Sequence, residues 1–127
     1  MLDIDGTKPI YIQVAEWLEN EILNGQFNEN EKVHSQYTLA DMFNINPATA
    51  AKGLNKLHDD NVLYNKRGLG KFVSEGAQKI ILNKRKNETL KGLIQDVVLE
   101  AHQLRVDESE LLNMIKESLE AFKEDEK

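Results

Sequence analysis

The chain of 127 residues contains no cysteine. It therefore has no disulfide framework, no thiolate metal site and no cysteine nucleophile, a composition that fits a reducing compartment. It also lacks any apolar run near the roughly 20 residues that cross a bilayer, and its first residues lack the basic-then-apolar order of a signal peptide. These absences predict a cytoplasmic protein with no membrane partner.

Positive charge is scarce overall but unevenly placed. Lysine and arginine number 16 against 22 aspartates and glutamates, which gives a formal net charge of −6. That total argues against a nucleic-acid binder, because affinity for a phosphate backbone comes from lysine and arginine. Between Asn44 and Phe72, however, five bases stand against two acids, so this segment carries +3 and the remainder −9. We expect one basic face on an otherwise acidic protein.

The stretch from Asn44 to His58 has the features of a turn followed by a helix. Asn46 can cap the helix, and Pro47 follows at the first helical position, where no N–H is needed. At about 100° per residue, one apolar stripe contains Ala50, Leu54 and Leu57. The other face contains no acid, and its residue types can enter a DNA major groove: Ala48, Thr49, Lys52, Asn55 and Lys56. Taken alone, the stretch fits an ordinary amphipathic helix with a solvated face equally well.

The preceding residues predict a helix that crosses this one. Ser35 is a candidate N-cap for Gln36 to Phe43, and Asn44 tolerates the left-handed backbone of a tight turn between two helices. Before it, Pro9 to Asn24 reads as a helix that Gly25 ends, with four residues toward the core: Ile10, Val14, Trp17 and Leu18. After the helix that begins at Pro47, two short strands are predicted over residues 62–64 and 71–73, joined by a basic, glycine-bearing tip over residues 65–70. This order predicts a winged helix-turn-helix.

These residues resemble the GntR transcription regulators, and within them the small YtrA-type branch. The matching motifs are Pro9-Ile10-Tyr11-x-Gln13-Val14, Gly25, Ser35-x-x-x-Leu39-Ala40, Asn46-Pro47-x-Thr49-x-x-Lys52, Leu57 and Gly68-x-Gly70-x-Phe72-Val73. Three family positions differ, with Glu29-Asn30 replacing Pro-Gly, Val33-His34 replacing Leu-Pro, and Tyr37 replacing an arginine that commonly contacts DNA in the family. A tyrosine hydroxyl can still bond a phosphate.

The pattern and the resemblance together predict which residues contact DNA. Besides the helix face, the set includes the start of the predicted helix from Gln36 to Phe43 and the tip of the hairpin. It comprises Ser35, Tyr37, Asn46, Ala48, Thr49, Lys52, Asn55, Lys56, Lys66, Arg67, Gly68, Gly70 and Lys71.

The composition changes beyond Val73, and Gly76 marks a hinge, so we divide the chain into a DNA-binding domain (residues 1–75) and a dimerisation region (residues 76–127). Helical spacing predicts a long helix from Lys79 to Leu104, weakened near Asn87 to Thr89, and a last helix from Glu108 to about Phe122, capped by Asp107. Two helices cannot enclose a core of their own, so they must pack on the first domain or, as we prefer, on a second copy. The predicted dimer contacts are Leu93, Val97, Ala101, Leu104, Leu112, Ile115 and Leu119.

No pattern indicates an enzyme, a metal site or a cofactor. The three histidines lie far apart in sequence, capping accounts for Ser35, and Glu16, Glu19 and Glu21 read as a solvated acidic patch. Lys84-Arg85-Lys86 reads as a solvated helix face, with an extra phosphate contact as the lesser alternative.

The predicted fold is therefore mainly α with a small β-hairpin, an N-terminal winged helix-turn-helix followed by a two-helix dimerisation region. The predicted function is a sequence-specific, homodimeric regulator of double-stranded DNA. The resemblance implies a repressor of an inverted-repeat operator upstream of its own operon, which in the YtrA branch often encodes an ABC transporter. The alternative is a winged-helix protein-interaction module that does not bind DNA. The residues do not identify a small-molecule effector.

Overall fold

The structure, a computed structural model, describes residues 2–126, which are mainly helical with one antiparallel hairpin, as predicted. The elements in chain order are α1 (Ile10–Leu23), α2 (Gln36–Phe43), α3 (Pro47–Asp59), β1 (Leu63–Lys66), β2 (Gly70–Val73), α4 (Ala77–Arg85), a π-helical turn (Lys86–Leu90), α5 (Lys91–Gln103) and α6 (Glu108–Asp125). They form two compact units, Met1–Lys84 and Arg85–Lys127. None of the helices in the described part of the chain is both long and apolar enough to cross a membrane.

The core of the first unit forms where α3 packs against α1 and α2. Apolar residues at helical spacing supply it, and the predicted core positions Val14 and Leu18 are fully buried, as is the predicted stripe of Ala50, Leu54 and Leu57. Trp17 is half-buried: its ring meets Phe43 edge-on at 5.1 Å and stacks on His34 at 6.0 Å, centroid to centroid. The core interpretation of Trp17 therefore holds, although one side of the residue remains at the surface.

Helix α3 lies close to α1 at Gly53. A Cβ atom at this position would lie 2.9 Å from the carbonyl oxygen of Tyr11 and 3.1 Å from the side chain of Val14. The 2.9 Å distance is too short for a carbon atom beside a backbone oxygen, and the 3.1 Å distance is tight, so the packing of α3 on α1 favours a residue without a side chain here. The helical pattern of apolar residues does not indicate this close approach.

The helix ends follow local chemistry. Asn44 ends α2 in the left-handed conformation, with φ 53° and ψ 53°. Gly25, at φ 81°, ends α1, where the N–H of Gln26 donates to the carbonyl of Glu21 and that of Gly25 to Ile22. These two hydrogen bonds form a Schellman motif, which is common where a helix is followed by a left-handed residue.

Helix α4 belongs to the first unit, because Ala77 and Ile81 are buried in its core. The compact unit consequently extends to Lys84, whereas the sequence placed the domain boundary between residues 75 and 76. Gly76 is fixed to the same unit, since its N–H donates to Glu29 Oε1 at 2.8 Å. The change in composition after Val73 marked the end of the wing, and it did not register the two apolar residues that anchor α4.

In the second unit, the weak middle of the predicted long helix is the π-helical turn. Arg105, at φ 59°, ends α5, and Asp107 Oδ1 caps α6 by accepting the N–H of Glu110 at 2.9 Å. Helix α6 runs to Asp125, beyond the predicted end near Phe122. Of the predicted dimer contacts, Ala101 is 8% exposed, whereas the other six are between 43% and 65% exposed in the chain: Leu93, Val97, Leu104, Leu112, Ile115 and Leu119.

Candidate nucleic-acid interface

The two helices of the helix-turn-helix begin with side-chain caps, as predicted. Ser35 Oγ accepts the N–H of Thr38 at 3.2 Å, and Asn46 Oδ1 accepts the N–H of Ala48 at 2.8 Å. Both cap residues are exposed. Their side-chain oxygens already accept backbone hydrogen bonds. The two caps therefore contribute to a DNA surface mainly by placing the N-termini of α2 and α3 there, since the positive end of a helix dipole binds anions favourably. Tyr37, in the first turn of α2, is 67% exposed beside them.

The face of α3 that was predicted to contact DNA is at the surface. Ala48, Lys52 and Asn55 are exposed, whereas Thr49 and Lys56 are half-buried. Lys52 Nζ lies 4.1 Å from the centre of the Tyr11 ring, over its face, a position in which the ring stabilises the ammonium group and restricts the side chain. Tyr11 belongs to α1 and was not predicted as a site residue, because the sequence alone does not show which helix faces supply neighbours.

The hairpin forms the wing. Strands β1 and β2 pair from Leu63 opposite Val73 to Lys66 opposite Gly70. At its tip, Gly68 and Gly70 have φ values of 79° and 117°, which only glycine adopts readily. Strand β1 begins one residue later than predicted and continues to Lys66, so the tip is shorter than predicted.

The cations of the wing have different environments. Lys71 Nζ donates to Asn65 Oδ1 at 2.7 Å, and Lys66 Nζ lies 4.5 Å from the centre of the Phe72 ring. Arg67 is exposed in the turn. Lysine side chains that are held in place by neighbouring groups suit contacts with the phosphate backbone, whose geometry is fixed. An exposed arginine can reach into a minor groove.

Lys32 is a further cation at the wing that was not predicted. It forms an isolated antiparallel bridge with Phe72, and its Cε atom would lie 3.0 Å from a Cβ built on Gly70. The polar connector before α2 therefore pairs with the hairpin at one position and adds an exposed lysine beside it. This pairing joins positions far apart in the chain, and no local signal distinguishes Lys32 from the other polar residues around it.

A groove of about 300 Å³ connects the start of α2 with the wing. Its lining combines hydroxyl, ammonium and apolar groups, including Lys32, Ser35, Tyr37, Leu54, Leu69 and Lys71. The structure thereby brings together four of the predicted site residues, Ser35 and Tyr37 at the start of α2 with Gly70 and Lys71 of the wing. Helix α3 presents its exposed face through Lys52 and Asn55.

Lys56 is the predicted contact with the most constrained environment. Its Nζ lies 3.0 Å from Asp60 Oδ2, and the same oxygen accepts a hydrogen bond from Lys84 Nζ at 2.9 Å. Lys84 also pairs with Glu19, whose side chain is buried. The network Glu19–Lys84–Asp60–Lys56 therefore alternates in charge and joins α1, α4 and α3. Two interpretations are corrected: Glu19 is 1% exposed and not part of a solvated patch, and the side chain of Lys84 is 16% exposed and does not lie on a solvated face.

The network shifts the acidity of two of its members. Burial acts to raise the pKa of Asp60, but hydrogen bonds from Lys84 and Lys56 outweigh it and hold that pKa below its ordinary value. Burial likewise acts to lower the pKa of Lys84, but the hydrogen bonds and charges of Glu19 and Asp60 raise it. Both groups are thus more firmly ionised in the folded protein than in a free peptide.

A helix-turn-helix followed by a basic hairpin defines a winged-helix DNA-binding protein. No family model matches the chain. The transcriptional repressor YtrA of Bacillus subtilis is 29% identical to it over 119 residues, which span 92% of this chain and 91% of YtrA. A GntR-family regulator from Bacteroides thetaiotaomicron is 30% identical with a TM-score of 0.74, and the match covers 89% of this chain and 98% of that protein. A GntR-family regulator from Listeria monocytogenes is 25% identical with a TM-score of 0.70, covering 90% and 98% respectively.

The chain belongs to the GntR family of transcriptional regulators, and its match over almost the whole of YtrA places it with the YtrA-type members. It is accordingly a DNA-binding regulator and not an enzyme. The predicted family and fold are confirmed.

Proposed function

We propose that this protein is a homodimeric repressor that binds an inverted-repeat operator through α3 and the wing. The observation that carries the proposal is the exposed face of α3 with Lys52 and Asn55, in the same unit as a basic hairpin. In this assignment Lys52 and the wing lysines contact phosphates, Asn55 reads a base edge, and Arg67 reaches the minor groove. The remaining predicted contacts (Ser35, Tyr37, Asn46, Ala48, Thr49, Lys56, Gly68 and Gly70) position the backbone or touch phosphates.

A second copy of the chain is the proposed occupant of the apolar surface of α5 and α6. The six exposed aliphatic residues named above are too many for a surface that stays in water, and a helix-turn-helix reads two half-sites with two subunits. Ala101, buried within its own chain, contributes to the shape of that surface and not to its exposed area. A twofold pair fixes the distance between its two recognition helices, the two copies of α3, and so requires half-sites at a fixed spacing.

The biological setting follows from the family. The relative YtrA is named as a repressor, and we assign the same role to this protein, acting in the cytoplasm on an operator upstream of its own operon. By resemblance to the YtrA branch, that operon encodes an ABC transporter. An effector would act on the spacing between the two recognition helices, because that distance can change without altering the base contacts.

Selection of duplexes from a random-sequence pool by the full-length protein tests this function. We expect enrichment of an inverted repeat, with binding that weakens steeply as salt rises. Lys52→Ala should reduce the salt slope by about one unit, and Asn55→Ala should cost ~1–3 kcal/mol and relax one base position. Lys91→Ala, the same charge change at an exposed position of α5, is the control. If no duplex is enriched and no salt-dependent binding is found, the winged fold serves protein interaction instead.

A further inference from the structure

The network of Glu19, Lys84, Asp60 and Lys56 is not accounted for by direct DNA contact. Its central member is Asp60, the residue that ends the recognition helix. One oxygen of this carboxylate accepts from two lysines at nearly equal distances, 3.0 Å for Lys56 and 2.9 Å for Lys84. The two ammonium groups therefore share a single negative charge, and strengthening one contact must weaken the other.

The two lysines differ in what else they can bind. The side chain of Lys84 is 16% exposed and also pairs with the buried Glu19, so it is fixed within the protein. The side chain of Lys56 is 31% exposed and lies on α3, the helix assigned to the major groove. A phosphate that approaches Lys56 competes directly with Asp60 for its ammonium group. How strongly Asp60 competes depends on how much of its charge Lys84 already neutralises.

We infer that Lys84 is a positioning residue for DNA binding: by engaging Asp60 from inside the protein, it releases Lys56 on the recognition helix for a phosphate. Asp60 acts as an internal substitute for phosphate that holds Lys56 in the free protein, and Lys84, anchored by Glu19, keeps that hold weak. This inference rests on the proposed function, since it requires that α3 faces DNA.

The test removes Lys84 without leaving a buried charge unpaired. In the full-length variant Glu19→Gln/Lys84→Met, the net charge is unchanged and Asp60 pairs with Lys56 alone. We expect the affinity for the selected duplex to fall by about fivefold and the salt slope to fall by about 0.9, the value of one phosphate contact. Adding Asp60→Asn to this variant should restore both quantities, because it removes the competitor.

The matched control is Lys8→Met/Glu16→Gln, which deletes another ion pair of α1, 3.0 Å long and exposed, with the same zero change in net charge. It should leave affinity and slope as in the wild type. A purely structural role for Lys84 would lower the melting temperature without changing the salt slope, and Asp60→Asn would not reverse its effect. A wild-type slope in the double variant, or a reduced slope that Asp60→Asn does not restore, would overturn the inference while leaving the proposed function intact. Wild-type protein that binds no duplex would overturn both.

A second pair of variants keeps the inference testable if the double variant does not fold. Asp60→Asn and Asp59→Asn remove the same charge from adjacent positions. The Asp59 side chain, however, is 82% exposed, and the ion pair described for it is with His58 at 3.8 Å and not with a lysine. Asp60→Asn should raise affinity at least threefold more than Asp59→Asn, on the scale of one phosphate contact. The excess should vanish when Lys56 is also replaced by alanine. Equal gains from the two variants would contradict the inference.

Discussion

Lys52 on α3 lies over the face of Tyr11 on α1, with 4.1 Å between its Nζ and the ring centre. The ring orders the side chain before DNA is present, which lowers the entropy lost on binding. Tyr11→Leu should therefore weaken operator binding by about two- to fivefold, the value of an exposed cation–π contact of ~0.5–1 kcal/mol. Tyr11→Phe, which keeps a ring, should retain most of the affinity in the same fluorescence anisotropy titration. A loss of equal size in both variants would show that the hydroxyl matters and the ring does not.

Arg67 is the exposed arginine of the wing turn. Narrow A·T-rich minor grooves attract arginine, so Arg67→Ala should lose more affinity on operators with A·T-rich flanks than on operators with G·C-rich flanks. The measurement compares dissociation constants on two duplexes that share the same half-sites. Equal losses on the two duplexes would restrict Arg67 to contacts with phosphates.

Gly53 and Gly92 are a matched pair for testing helix packing. Gly53→Ala should lower the free energy of unfolding by about 1–3 kcal/mol, because its new methyl group would overlap the backbone of α1. Gly92→Ala meets nothing within 4 Å and should raise stability by about 0.5–1 kcal/mol through helix propensity alone. Urea denaturation measures both changes. Similar signs for the two variants would contradict the close approach of α1 and α3.

Asp60 makes the stability of the protein depend on acid pH. Its pKa in the folded protein lies below the ordinary value of 3.8, so its ionised form stabilises the fold above that pH. This stabilisation disappears as the pH falls through the lowered pKa. The difference in unfolding free energy between the wild type and Asp60→Asn should therefore be constant near neutral pH and shrink in acid. Parallel curves for the two proteins across the acid range would show that the carboxylate is not stabilised by its lysines.

Because the buried residues of α4 belong to the core of the first unit, we expect two truncations, one after α4 and one before it, to have opposite outcomes. A chain ending at Lys86 keeps Ala77, Ile81 and Lys84, and it should melt cooperatively, remain monomeric and bind a half-site weakly without dependence on spacing. A chain ending at Gly76 loses two buried residues and should melt at a much lower temperature. Sedimentation and thermal denaturation compare the two. If the chain ending at Lys86 dimerised as tightly as the intact protein, the assignment of α5 and α6 as the dimer surface would be wrong.

Local chemistry made much of the helix-turn-helix predictable. Ser35, Asn44 and Asn46 act on backbone groups within a few residues of themselves, so their residue types alone indicate where α2 ends and α3 begins. The hairpin followed from a similar local signal, two glycines between short apolar runs.

What the sequence did not reveal depends on partners distant in the chain. Glu19 meets Lys84 across 65 positions. In the sequence, Glu19 has acidic neighbours and Lys84 has basic neighbours, so the local pattern predicts that both side chains are solvated. Gly53 and Lys32 were missed for the same reason, since the backbone that each approaches lies in another element. The sequence therefore allowed the exposed residues of the candidate site to be proposed, but not the residues that hold them in place.

The half-buried Trp17 has a spectroscopic consequence, since it is the only tryptophan in the sequence. It lies in the first unit, between the rings of His34 and Phe43, so intrinsic fluorescence reports the packing of α1 against the helix-turn-helix. The circular dichroism of the helices, in contrast, sums over both units. Two melting curves recorded on one sample, one by each signal, would coincide if the units unfold together and separate if α5 and α6 lose their helical structure first.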